Sequence, residues 1–155
     1  MSKPKSDAVP LYEGMFLMNP AALEGDLTAG LDRIRQLLEK YQAEIVALRK
    51  WDERRLTYPV KGQRRGLYLL AHFRMDGKRI TAMERECELS EDVLRVMITR
   101  ADHFGELEIE QAIQAAKTTA DEAKLRSVGE GENEPAHAGA EPESAPAPAA
   151  EEARE

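Results

Sequence analysis

KWDERRLTYPVKGQRRGLYLLAHF, residues 50–73, changes character half way along: charged and turn-prone up to Arg65, then apolar and aromatic from Gly66. The run GLYLLAHFRM, residues 66–75, is too short and too aromatic for a helix of ordinary length and reads as a buried central strand. Upstream, AEIVALRKW, residues 43–51, suits a pleated surface and extends toward Tyr58, with Pro59 expected to end it and VKGQRR to form a loop. Residues 49–65 hold Arg49, Lys50, Arg54, Arg55, Lys61, Arg64 and Arg65 against Asp52 and Glu53, a local charge of +5. Several guanidinium groups held on one element are what a phosphate-binding surface requires, because each can bind phosphate bidentately. A solvated hairpin whose bases pair with neighbouring acids is the competing reading, and the charge excess counts against it.

This pair of strands sits inside a longer pattern. LYEGMFLM, residues 11–18, reads as a first strand that stops at Asn19-Pro20. From Leu23 the apolar residues Leu27, Leu31, Ile34, Leu38 and Tyr41 recur in steps of three and four, a helix with Gly25 and Gly30 weakening its first turns. After Asp76-Gly77, the residues Ile80, Met83 and Cys87 mark a second, shorter helix, and VLRVMITR, residues 93–100, a last strand. The order βαββαβ, with right-handed crossovers, gives an α+β fold, the ferredoxin-like split βαββαβ sandwich. It has a four-stranded antiparallel sheet with two helices on one face. The other face is expected to carry no helix and to be solvated or used for binding. The five methionines Met15, Met18, Met75, Met83 and Met97 are expected to face the core.

Charge divides the chain unevenly. Residues 1–104 carry 18 Lys and Arg against 16 Asp and Glu, whereas 105–155 carry 4 against 13. The expected organisation is a flexible arm over 1–10, the ferredoxin-like domain over 11–103, a loose helix over the Ala- and Glu-rich 104–128, and a disordered acidic tail over 129–155, where no aromatic or large aliphatic residue offsets the entropy of ordering. One cysteine, Cys87, excludes an intrachain disulfide and a cysteine metal cluster. No signal-peptide core follows the first ten residues, and no apolar run approaches the roughly 18 residues of a membrane span. A cytoplasmic protein with no membrane partner is expected.

Catalytic readings find little support. His72, His103 and His137 have no Ser, Cys or carboxylate at a motif spacing, Cys87 falls on the apolar stripe of the second helix, and Glu84, Glu86, Glu88, Glu91 and Asp92 read as a solvated face. There is no phosphate-cradling glycine loop and no metal-binding His pair, so neither enzyme activity nor a cofactor is expected. An acylphosphatase-like site would need an Arg in the loop after the first strand, but MNPAALEGD has no basic residue. An RNA-recognition motif stacks bases on aromatic residues in its third strand. Here Arg65-Gly66 fits the start of that pattern, but Leu67, Leu69 and His72 fill the aromatic slots. RNA binding through phosphates and shape, with the open sheet serving a protein partner, remains.

LYEGMFLMNP, RRLTYPVKGQRRGLYLLAHF and EDVLRVMITR resemble, in order and spacing, the bacterial small-subunit ribosomal protein six family, from about Leu11 to Ala101. The tightest signature is Arg54-Arg55-Leu56-x-Tyr58-Pro59 followed by Val60, with Tyr12-Glu13 and Arg95-Val96-Met97 in register. The resemblance implies a structural, non-enzymatic constituent of the small ribosomal subunit, without a cofactor. Such a protein binds 16S ribosomal RNA in the central domain, or platform, together with small-subunit ribosomal protein eighteen. Charge and matching position single out Arg54, Arg55, Lys61, Arg64 and Arg65, with Arg95 from the last motif, as RNA-binding residues. The chain departs from the family in carrying Asp52 where a Gly is common, and in its long extension from about Phe104. A free-standing RNA-binding or ligand-binding module on the same fold is the alternative.

Overall fold

The computed structural model describes residues 9–129, with side chains described through residue 125. The arm expected over 1–10 and the tail over 129–155 lie outside the described residues, apart from Val9, Pro10 and Gly129. Four strands, β1 (Leu11–Met18), β2 (Glu44–Val60), β3 (Gln63–Arg74) and β4 (Val93–Arg100), form one antiparallel sheet in the order β2-β3-β1-β4. Helices α1 (Leu27–Lys40) and α2 (Ile80–Leu89) supply the two crossovers, giving the ferredoxin-like order expected from the sequence.

Alternation along the strands builds the core. Phe16 and Met18 of β1, Leu67, Leu69, Ala71 and Phe73 of β3, and Leu48 of β2 meet Leu27, Leu31, Ile34 and Leu38 of α1 and Met83 and Cys87 of α2. Burying each large aliphatic or aromatic side chain contributes roughly 1.5–3 kcal/mol. Helix α1 starts at Leu27 rather than Leu23, because the Asp26 carboxylate caps it by accepting from the Thr28 amide at 2.8 Å. Gly25 therefore precedes the helix instead of weakening it.

Three other expectations change. β2 runs through Pro59 to Val60, which an edge strand tolerates because the missing amide faces no partner, and its pairing is interrupted between Arg55 and Val60. The expected VKGQRR loop is a two-residue turn, Lys61-Gly62, with φ of 47° and 77°. Positive φ at both positions suits the right-handed twist of a hairpin, and the second is met by glycine. Met15 and Met97 point away from the core. They pair across β1 and β4 on the face opposite α1 and α2, and Met97 is 62% exposed. Period-two alternation places them there, because their neighbours Phe16, Val96 and Ile98 take the core side.

The Ala- and Glu-rich extension forms a third helix, α3 (Glu106–Gly129), which packs along β2. Thr119 Oγ1 accepts from the Lys50 amide at 3.2 Å, and Ala112, Thr119 and Ala123 are buried. α3 thereby covers part of an edge strand whose unpaired amides would otherwise invite another strand. Before it, Phe104 lies 5.3 Å from the ring of His72, which is 5% exposed and bonded at 3.0 Å through Nε2 to Glu13 on the facing strand. The sheet face opposite α1 and α2 is thus covered at that end and not wholly open.

Candidate nucleic-acid interface

β1 pairs with β3 only from Leu67 to Arg74. Residues Gln63–Gly66 of β3, with the part of β2 that faces them, have no third strand beside them and project from the sheet as a two-stranded arm. The arm carries the basic residues singled out in the sequence, but it does not present them alike.

Arg55 and Arg65 are direct cross-strand partners, both exposed, and Arg64 is exposed beside them. Among the described residues none of the three side chains makes a hydrogen bond or an ion pair. Like charges directly opposite one another on a ladder destabilise it, and among the described residues no side-chain ion pair offsets this one. Continuing the alternation from Leu67 puts Arg65 and Arg55 on the side of α1 and α2, and Arg64 and Arg54 on the other.

Arg54 is engaged internally. Its Nε and Nη2 lie 2.7 and 2.5 Å from the Asp52 carboxylate, and its guanidinium sits 5.1 Å from the Trp51 ring and 6.0 Å from the Tyr68 ring. This bond, with one from the Glu53 amide, holds the Asp52 carboxyl below its ordinary pKa. The ladder shifts register between Lys50 and Asp52, so the local bend is made by a bulge at Trp51 in a stretch without glycine. Lys61 is turned inward: its ammonium donates to the carbonyls of Glu88, Ser90 and Val93 at 3.1, 3.4 and 3.2 Å. A cation there complements the negative end of α2 and ties the turn to the body of the domain. Arg95, on β4, donates to the Tyr58 hydroxyl at 2.6 Å and lies over its ring at 5.2 Å.

Beside the arm, on the face opposite α1 and α2, Met15, Leu17, Leu56, Tyr58, Tyr68 and Met97 line a groove of about 290 Å³ with Arg95 at its wall. Trp51 and Tyr58 are 44% and 55% exposed. Gly66 lets the groove floor close, since a Cβ there would stand 2.2 Å from Leu17 Cδ1. Sequence reasoning reserved this face for a protein partner but did not single out the residues that line the groove. The comparison with the RNA-recognition motif mixed the two faces, because Leu67 and Leu69 lie under the helices while Tyr68 lies in the groove. Alternation about Leu67 was the available signal.

Among the described residues no group of three or more His, Cys, Asp or Glu could hold a metal ion, and no helix is long and apolar enough to cross a membrane. Burial, with Glu86 nearby, pushes the Cys87 thiol up to about 11, so it stays protonated and unreactive at neutral pH.

Comparison with known proteins agrees with this architecture. A family model described as ribosomal protein S6 matches residues 11–100. The small ribosomal subunit protein bS6 of Gloeothece citriformis is 33% identical over 91 residues, covering 59% of this chain and 52% of that protein. The bS6 of Fusobacterium nucleatum subsp. nucleatum is 32% identical over 91 residues, covering 59% of this chain and 97% of its own. The chain thus spans about half the length of the first relative and nearly all of the second. In fold, it is similar to a crystal structure of 30S ribosomal protein S6 from Thermotoga maritima, with a TM-score of 0.53 and 21% identity over 70% of this chain and 98% of that one. The match of residues 11–100 takes in all four strands and both crossover helices, and on it the chain belongs to the ribosomal protein S6 family.

Proposed function

We propose that the protein is a structural, non-enzymatic constituent of the small ribosomal subunit in the cytoplasm, and that it binds 16S ribosomal RNA in the central domain jointly with small-subunit ribosomal protein eighteen. The observation that carries the RNA reading is the unpaired Arg55/Arg65 pair, with Arg64, on an arm that projects beyond the four-stranded sheet. Phosphates satisfy such a ladder, and an arm two strands thick reaches into a groove that a flat sheet does not enter. Arg54 and Arg95 are held by Asp52 and Tyr58 at the edge of the apolar groove, which fits them to a protein partner with RNA as a second contact. Lys61 acts as a clamp on α2. The groove, with exposed Trp51, Tyr58 and Met97, has the aromatic and Met character of a protein-docking surface, and supports the heterodimer.

Reconstitution tests this. The protein, a central-domain fragment of 16S ribosomal RNA and the partner are combined across a salt series, with and without Arg64→Gln/Arg65→Gln. Binding should be weak alone and tighter with the partner, and the double substitution should reduce the magnitude of the log-log salt slope by about 0.7–0.9 for each phosphate no longer neutralised. An unchanged slope means that Arg64 and Arg65 do not face RNA. Tight binding that ignores the partner favours a free-standing RNA-binding module instead.

A further inference from the structure

Strand parity places a second set of basic residues on the face opposite α1 and α2. Arg49 pairs with Leu70, Asp52 with Tyr68 and Arg54 with Gly66, while Leu67, Leu69 and Ala71 of β3 take the core side. Arg64 stands two residues beyond Gly66 on the same side as Arg54. From the level of Leu70 to that of Arg64 is six residues of strand, a row about 20 Å long. It sets three arginines against Asp52, a charge of +2.

Trp51 stands within this row. The bulge leaves it without a cross-strand partner, and its edge-on contact with Tyr68, ring centroids 5.5 Å apart, fixes it on that face. It is 44% exposed, belongs to neither buried cluster, and is not among the residues that line the groove. Neither the core nor the groove accounts for it. The Arg54 guanidinium over its ring adds a second flat surface, and Asp52 holds that cation in place. At the two ends of the row, Arg49 and Arg64 have no acidic partner among the described residues, and the Nε of Arg49 is buried without a hydrogen bond. A half-exposed indole between such guanidinium groups suits a ligand that repeats a flat π-face and an anion. Single-stranded RNA has both in every nucleotide, whereas a duplex keeps its base faces closed against one another.

We infer that Trp51 stacks an unpaired nucleobase of RNA, with the phosphates on either side of that nucleotide held by Arg49 and Arg64. The inference rests on the RNA-facing reading above and deepens it. The arm is met on both faces, by phosphates at Arg55 and Arg65 and by an unpaired nucleotide at Trp51. Phosphate contacts on one face position the RNA, and stacking on the other selects a segment whose base is splayed out. A protein partner seated in the groove meets Tyr58, Tyr68 and Met97 and need not cover Trp51.

Trp51 is the single tryptophan of the chain, so its fluorescence reports on the site in the full-length protein. At about 50 mM salt, where screening is weak, a short single-stranded RNA should quench it saturably. A duplex with the same number of phosphates should leave it unchanged. Trp51→Leu should weaken binding of a labelled single strand by about 5- to 150-fold, the change that corresponds to about 1–3 kcal/mol for one stacked base. Trp51→Phe, which keeps an aromatic face, should recover most of the affinity. Absence of quenching overturns the site, and so does a Leu variant that binds the single strand as well as the Phe variant. Lost partner binding with intact RNA binding in Trp51→Leu assigns the residue to the protein interface and also overturns it. Arg55→Gln/Arg65→Gln, on the other face, separates the two readings. If the single strand quenches Trp51 but the salt slope for the central-domain fragment ignores that substitution, the stacking site stands and the phosphate-facing pair falls. If the slope changes while Trp51 stays silent, the pair stands and the stacking site falls.

Discussion

One ladder, β2 paired with β3, does two unlike jobs along its length. From Leu67 to Arg74, β3 is flanked by β1, covered by α1 and α2, and contributes Leu67, Leu69, Ala71 and Phe73 to the core. From Gln63 to Gly66 the same strand has β2 as its one neighbour and offers Arg64 and Arg65 to solvent. The inner half contributes stability through apolar area. The outer half gives some of it up by opposing Arg55 to Arg65, and on the proposed function this is the surface that meets RNA. Residues that matter for folding and residues that matter for binding are therefore a few positions apart in sequence and separable by substitution.

The largest effect should come from the inner half. Phe73→Ala empties a fully buried site stacked on Tyr12, and should lower unfolding free energy by about 3–5 kcal/mol in urea denaturation, with RNA binding reduced only as far as the folded fraction falls. If the fold is unaffected, the core assignment of β3 is wrong. At the junction of the halves, Lys61→Asn keeps a residue tolerant of positive φ but removes the ammonium that reaches three carbonyls. It should cost about 1 kcal/mol of stability and leave the RNA salt slope unchanged. A slope reduced by nearly one would place Lys61 with the outer half after all.

In the outer half, Arg55→Gln/Arg65→Gln should leave stability unchanged or raise it by about 0.2–1 kcal/mol, since it relieves a like-charge pair, while weakening RNA binding at every salt concentration below about 0.5 M. A marked loss of stability would reveal a structural partner for the pair. The smallest effect concerns Cys87. With its thiol at about 11, above the usual range because burial disfavours the thiolate, the folded state is favoured below the ordinary thiol pKa of about 8.5–9 and loses that contribution as pH rises through 11. At pH 8 the native protein should resist a thiol reagent for as long as it stays folded. Rapid labelling without unfolding would show the second helix to be loosely packed.

Much of the inner half is legible in sequence. The spacing of Leu27, Leu31, Ile34 and Leu38, the run Leu67–Phe73 and the β-branched Val93–Thr99 are local signals, set by the 3.6- and 2-residue periods of the backbone, and the structure uses each of them. The outer half is legible as a density of charge, but not in its division of roles. Arg54, Arg55, Lys61, Arg64 and Arg65 look equivalent in a row of letters. The fold commits one to Asp52 and one to the end of α2, and leaves three whose side chains have no partner among the described residues. That sorting depends on strand parity, on a two-residue turn that swings Lys61 toward α2, and on where β1 stops.

What the sequence by itself determined is the order of elements, the amphipathic stripes and the concentration of positive charge between Arg49 and Arg65, because these follow from local propensity and composition. What only the tertiary structure decided is which face each residue takes and which charges are used up. Met97 lies exposed in a groove, Tyr58 binds Arg95, and α3 covers part of the edge of β2. These arrangements join residues 30 to 70 positions apart. They are fixed by register and by packing on a shared sheet, for which no local period carries a signal.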